Sequence, residues 1–430
     1  MLKELLSDIL ILAGMAAIAA GRVPWLRMNR AAIALAAAAG LIVVGAIPLG
    51  DALAAVDMGT ITLLLSMMVL VAAIRLSGLF DLVAARLSGL AGYPRIFLAA
   101  IVATSGVLSA LFLNDTMCLV LGPVVAETSL RARRNPVPYL VATATAANVG
   151  SAATIIGNPQ NMLIGAKSGI PFVEFVARIG PPALLGLVIC WAVVVLVFPK
   201  EFRNHRKSPA LDHVNLAGSA SERQSEARTM SAGLLGAVRL DKPLAIKSAI
   251  ASAAMLAGFL AGVPVVVAAL VPAAIMLAST KIESEKLFSG VDFNLLVFFA
   301  GLFIITDATS RTAAFAWLER TVLSGAAASP WMFSAATTAV SNVVSNVPAV
   351  MVLSPLAAGA ADPASAWLIL AMASTFAGNL TLLGSVANLI VAEGAATRGA
   401  RLGFWDYLKA GVPITLLTLA VGTAWLSLTA

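Results

Sequence analysis

The sequence predicts an all-α polytopic membrane protein of about ten transmembrane helices, arranged as two inverted five-helix repeats, each with a re-entrant hairpin and a broken helix. Three observations carry this expectation. Of 430 residues, 60% are hydrophobic and 11% charged, against roughly 25% charged in soluble domains. So few polar groups cannot cover a surface in water. Apolar runs of spanning length, about 20 residues, recur along the chain, and the polar residues that interrupt them recur at a steady offset.

In chain order the spans fall near 5–21, 31–49, 58–80, 138–168 and 181–199, then 244–262, 263–280, 291–311, 365–398 and 412–428. No small-residue cleavage site follows 5–21, so it reads as a span, not a leader. Two further stretches, 94–127 and 330–360, are interrupted midway by Asn114-Asp115-Thr116 and by Ser345-Asn346 with Pro348. Such a central break predicts a hairpin entering and leaving on one side. Non-helical backbone at membrane depth must be buried in protein or line a cavity.

Ten crossings and two hairpins sort the loops into two sides. Lys3, Lys167, Arg178, Arg311 and Arg320 fall on one; the other side receives 23 of the 28 Lys and Arg residues. The basic side is expected to be cytoplasmic, with both termini outside, in an inner membrane. Residues 200–243, rich in Ser, Arg and Glu, read as a flexible cytoplasmic linker between a first repeat, 1–199, and a second, 244–430.

The net charge of +7 belongs to these loops. They carry no interleaved aromatic residues for base stacking, so nucleic acid is not an expected partner. Cys118 and Cys190 lie in apolar runs, and both histidines, His205 and His213, lie in the linker. No disulfide framework, metal site or bound cofactor follows from them. With no H-E-x-x-H, P-loop or nucleotide fingerprint, the chain does not read as an enzyme.

The halves match at polar positions. Asn114, Leu121 and Pro123 correspond to Asn346, Leu353 and Pro355, each 232 positions later; Thr154, Gly157 and Asn161 correspond to Thr381, Gly384 and Asn388, each 227 later; Val56-Asp57 corresponds to Val291-Asp292, 235 later. Five crossings per half is an odd number, so the second half is inverted. Inverted repeats with broken helices are a transporter architecture, with the site near the midplane.

Four polar breaks form the candidate site. They are Asn114-Asp115-Thr116 and Gly157-Asn158-Pro159-Gln160-Asn161 in the first half, and Ser345-Asn346-Val347-Pro348 and Gly384-Ser385-Val386-Ala387-Asn388 in the second. Gly and Pro permit unwinding, while Asn, Ser and Thr supply neutral donors and acceptors. Unwinding frees carbonyls for a cation, and half-helix N-termini favour an anion or polar oxygen. The bland alternative is polar glue between helices.

Asp115 is the sharpest residue. A central Asp costs about 2.5–3.5 kcal/mol on insertion scales, and its counterpart, Val347, shows that packing symmetry does not require a carboxylate. It reads either as a proton- or cation-coupling group or as a helix N-cap. No basic residue is expected within the site. Asp307, Glu127, Glu393 and Arg75 lie near span ends, where water or Arg311 accounts for them. Cys118, four residues beyond Asn114, reads as a small buried hydrophobe.

FLNDTMCLVLGPVV from Phe112, GNPQN from Gly157, SNVPAVMVLSP from Ser345 and GNLTLLGSVANLIV from Gly378 resemble the ion transporter superfamily, in its arsenite permease and NhaD-like branch, over about residues 20–428. The resemblance implies substrate or coupling-ion roles for Asn114, Asp115, Thr116, Asn158, Asn161, Ser345, Asn346, Ser385 and Asn388. The Asn-Asp pair at the first tip is similar to arsenite permeases, which exchange arsenite or antimonite for protons and in some cases pair with a cytoplasmic ATPase, for which 200–243 is the docking candidate. A proton, or alternatively sodium, is then the coupling ion. Sodium–proton antiport, or inorganic-anion or carboxylate transport, is the alternative.

Overall fold

The computed structural model describes residues 2–20, 28–202, 240–278, 283–313 and 329–429. Arg22, Arg27, Arg320, His205, His213 and residues 203–239 of the expected linker lie outside them. The described residues form twenty helices and no strand.

The first half runs α1 (Leu2–Ala20), α2 (Arg30–Val43), α3 (Leu49–Ala55), α4 (Met58–Leu76), α5 (Leu79–Ser88), α6 (Pro94–Leu111), α7 (Asn114–Arg131), α8 (Pro136–Ser151), α9 (Pro159–Ser168), α10 (Phe172–Val197) and α11 (Pro199–Phe202). The second half runs α12 (Lys242–Leu260), α13 (Val265–Leu277), α14 (Ser284–Phe288), α15 (Phe293–Ser310), α16 (Pro330–Val344), α17 (Asn346–Ala358), α18 (Pro363–Ala377), α19 (Val386–Ala396) and α20 (Phe404–Leu428). Both expected hairpins are present, as α6–α7 and α16–α17. Both expected breaks are present too, at 152–158 between α8 and α9 and at 378–385 between α18 and α19.

Local chemistry sets these boundaries. Asp57 and Asp292, the pair matched at offset 235, are N-caps of α4 and α15, accepting from the backbone N–H groups of Thr60 and Leu295. Pro94, Pro136, Pro330 and Pro363 start their helices, where the missing N–H costs nothing. Two boundaries depart from the sequence expectation: residues 200–202 of the expected linker belong to the helix α11, with Phe202 buried, and α10 begins at Phe172 and runs through Pro181 and Pro182, whereas the pattern placed that span at 181–199. Pro182 cannot donate to Arg178 O one turn earlier. The indole Nε1 of Trp425, on α20, donates to that carbonyl at 3.0 Å, so the orphaned acceptor is satisfied from the other half.

Among the described residues, six helices are long and apolar enough to cross a membrane alone. Others cross in pieces: α2 spans only about 21 Å at 1.5 Å per residue, and α8 with α9, or α18 with α19, complete a crossing together.

Packing reveals the pseudo-two-fold relation. In one group of helices α2 packs on α15, and its repeat mate α13 packs on α4. In the second group α7 packs on α19 and α17 on α9, while α8 meets α18 and α10 meets α20. Each contact recurs with the halves exchanged, as a two-fold axis between inverted repeats requires.

Candidate functional site

The four polar breaks converge. Asn148, in the last turn of α8, is fully enclosed and makes four side-chain hydrogen bonds. Its Nδ2 donates to Asn379 Oδ1 at 2.8 Å and to Asn388 Oδ1 at 2.9 Å. Its Oδ1 accepts from Asn114 Nδ2 at 3.2 Å and from Ser385 Oγ at 3.2 Å. Thr375, 227 positions later on α18, occupies the equivalent place: its Oγ1 accepts from Asn158 Nδ2 at 3.2 Å and Gln160 Nε2 at 3.3 Å, and donates to Asn161 Oδ1 at 3.5 Å. Each half therefore grips the broken helix of the other through the same two positions, 158/385 and 161/388.

The unwound carbonyls are held in the same repeated manner. Asn161 Nδ2 donates to Ser151 O at 3.3 Å and Thr154 O at 3.0 Å. Asn388 Nδ2 donates to Gly378 O at 2.7 Å and Thr381 O at 3.1 Å, each acceptor 227 positions later. These bonds pair carbonyls that the breaks would otherwise leave free at depth. The first hairpin tip joins the network through its backbone, Asn114 N–H donating to Gly157 O at 3.0 Å.

Above this network lies a cavity of about 540 Å³. Its wall includes six of the nine sequence-predicted site residues, Asn114, Asp115, Thr116, Ser345, Asn346 and Ser385. Asn158, Asn161 and Asn388 are not on the wall; they are wholly buried in the amide network behind it. The wall also contains Gln160, from the first broken helix, and Asn29, Arg30, Asp292 and Asn294, which the pattern did not select for the site. Arg30 corrects the expectation of a site without a basic residue. It sits in the first turn of α2, and the hydrophobic run that follows made it read as a loop charge at a span end.

Six helices begin at this wall: α2, α7, α9, α15, α17 and α19. Their N-terminal dipoles give the cavity a positive partial potential suited to carboxylate and other polar oxygens. Asp115 stands in the first turn of α7, but the N-cap position is Leu113 and carries no capping hydrogen bond. The capping alternative for Asp115 therefore fails, and Asp115 lines the cavity. Ser345 is a non-glycine residue at φ 80° between α16 and α17, a strained conformation of the kind that gathers at binding sites.

The hydrogen-bond chain fixes the amide orientations. Asn388 Nδ2 is bound to carbonyls, so its Oδ1 meets Asn148 Nδ2; Asn148 Oδ1 must then meet Asn114 Nδ2. Asn114 Oδ1 is left without a donor, and so is its repeat mate, Asn346 Oδ1. Buried acceptors without donors are rare; among the described residues the amide oxygens so left are these two, at the hairpin tips, and Asn342 Oδ1, near the end of α16.

Asp307 and Glu127 are ion-paired. Asp307 accepts from Arg311 Nε at 2.8 Å, and Arg311 also meets Asp51 at 2.7 Å. Glu127 pairs with Arg131 and, at 2.9 Å, with Arg398. Cys118 is buried off the cavity wall. Among the described residues no cluster of His, Cys, Asp and Glu suits a metal ion.

Inverted repeats, paired hairpins, two broken helices and a polar cavity between them define a multi-pass secondary transporter. Residues 15–377 match the family model for the citrate transporter, CitMHS; the chain belongs to this family, within the ion transporter superfamily. It is 31% identical to the silicon efflux transporter LSI3 of Oryza sativa subsp. japonica, with 93% of each chain covered. It is 26% identical to a Dictyostelium discoideum transporter bearing the provisional name arsB, covering 85% of this chain and 82% of that one. The crystal structure of the Alcanivorax borkumensis YdaH transporter shares the fold, with a TM-score of 0.52 and 16% identity over 99% of this chain and 98% of that one.

Proposed function

We propose that the chain is a proton-coupled exporter of small, uncharged oxyacids of metalloids, arsenite and antimonite first among them. The observation that carries this reading is the pair of donor-less amide oxygens at the hairpin tips, Asn114 Oδ1 and Asn346 Oδ1. They call for a ligand with O–H donors. Arsenous acid is neutral near pH 7 and offers three O–H groups, whose oxygens in turn suit the converging helix N-termini. A fully ionised tricarboxylate brings little donor capacity and meets two carboxylates, Asp115 and Asp292, against one Arg30. Asp115 is assigned the transported proton.

A second substrate, silicic acid, is favoured by the full-length likeness to the silicon efflux transporter. It is likewise a neutral polyhydroxylated acid. In this reading the basic side is cytoplasmic, both termini lie outside an inner membrane, and the mouth marked by Arg30 opens to the cytoplasm. A cytoplasmic ATPase docking on 200–243 is a further part of the reading.

The test is reconstitution into vesicles with an imposed pH gradient, offering arsenite, silicic acid, sodium, sulfate and citrate separately. Proton movement with arsenite or silicic acid, and its loss in Asp115→Asn, is expected. Proton movement with sodium alone selects an antiporter instead, and movement with citrate or sulfate alone overturns the neutral-acid reading.

A further inference from the structure

The cavity wall carries three ionisable residues, and two of them have no role so far. Asp115 lies on the hairpin tip, within the group of hairpins and broken helices. Arg30 and Asp292 lie opposite, in the group formed by α2, α4, α13 and α15. They are placed with some care by the fold. Asn29 is the N-cap of α2, accepting from Ala32 N–H at 2.9 Å, and Asp292 is the N-cap of α15. Asn29 Nδ2 donates to Asn294 Oδ1 at 3.4 Å, which ties the two helix starts together. Arg30 and Asp292 thus project from one linked corner. The elements packed on α7, namely α5, α6, α8 and α19, contribute no ionisable side chain to the wall. Cys118, one turn along α7, is buried behind it.

We propose that Arg30 and Asp292 are positioning residues that set, with opposite signs, how readily Asp115 takes up its proton. The inference rests on the reading of Asp115 as the proton carrier. Arg30 is the counter-charge that holds the ionised carboxylate. Asp292 is the like charge that limits that hold, so that a proton can still compete for Asp115 near neutral pH. Without Arg30 the ionised form loses its only cationic side chain on the wall; without Asp292 it is held too firmly. A neighbouring opposite charge favours the ionised form of a carboxylate and a like charge disfavours it. Asp292 is exposed, so solvent and salt screen it.

The experiment needs no substrate, so it stands apart from the test of arsenite transport. Infrared difference spectra of the detergent-solubilised, substrate-free protein are titrated with pH, and the carboxyl band that Asp115→Asn removes is followed. In Arg30→Gln the midpoint of that band is expected to rise by about one pH unit or more. In Asp292→Asn it is expected to fall, and Arg30→Lys should stay close to the unsubstituted protein. A midpoint that does not move in Arg30→Gln, or that moves in the same direction in Arg30→Gln and Asp292→Asn, overturns the proposal. If Arg30→Gln does not fold, Asp292→Asn decides: a fall sustains the proposal and an unmoved midpoint refutes it. A protein in which Asp115→Asn removes no titrating band would instead sink the assignment of Asp115 as carrier.

Discussion

Replacing Asn148 with alanine removes the centre of the amide network. The side chain is 1% exposed and exchanges four hydrogen bonds, with Asn114, Asn379, Asn388 and Ser385. Polar contacts between membrane helices average about 0.6 kcal/mol each, which sets a floor near 2 kcal/mol for the four. A buried group left without a partner costs about 1–3 kcal/mol. Asn148→Ala strands Asn379 Oδ1 in particular, so about 4 kcal/mol is the central expectation, lowered if water enters the vacated space. Asn388→Ala removes one of the same bonds and also frees Gly378 O and Thr381 O. The two substitutions share a contact, so the double variant should fall short of the sum by about 0.5 kcal/mol or more. Equilibrium unfolding in mixed micelles measures all three. A loss below about 1 kcal/mol for Asn148→Ala, or strict additivity with Asn388→Ala, would refute the network as a cooperative element.

Other substitutions separate packing from electrostatics. Glu201 receives Arg134 Nη1 at 3.3 Å and Tyr139 OH at 2.9 Å, and the Arg134 side chain is only 4% exposed. Glu201→Ala should cost about 3 kcal/mol by leaving that guanidinium buried without its counter-charge, and Glu201→Gln, which keeps an acceptor for Tyr139, should cost less in the same unfolding assay. Arg311→Ala breaks ion pairs that are open to solvent, so the thermal midpoint should stay unchanged within error. A Cβ on Gly150 would collide with the backbone of Gly106; Gly150→Ala should therefore separate α6 from α8 and destabilise by about 1–3 kcal/mol. Gly50, in α3, has open space around its Cα, and Gly50→Ala should raise the midpoint through helix propensity, worth up to about 1 kcal/mol.

What could be read from the sequence follows from what interrupts a helix. Hairpin tips and broken helices announce themselves, because Asn-Asp-Thr or Gly-Asn-Pro inside an apolar run breaks the only regular structure that hydrocarbon allows. Asn148 and Thr375 break nothing. They lie within α8 and α18, and a single polar residue inside a helix has the same appearance whether it glues helices or organises a site. The signal that marks them is the offset of 227, the same one that pairs 154 with 381 and 161 with 388, applied to the helix before the break. The three site residues behind the wall were legible as polar but not as structural, since the sequence cannot say which way an amide faces. Arg30 was hidden for a different reason. Residue counts place a charge at a span end, but whether that end meets bulk water or a cavity depends on how α2 packs on α15, and that contact joins residues more than 250 positions apart. The charges that govern a buried carboxylate are thus supplied by the other group of helices. Local pattern alone could find Asp115, but only the two-fold packing of the halves brings Arg30 and Asp292 to face it.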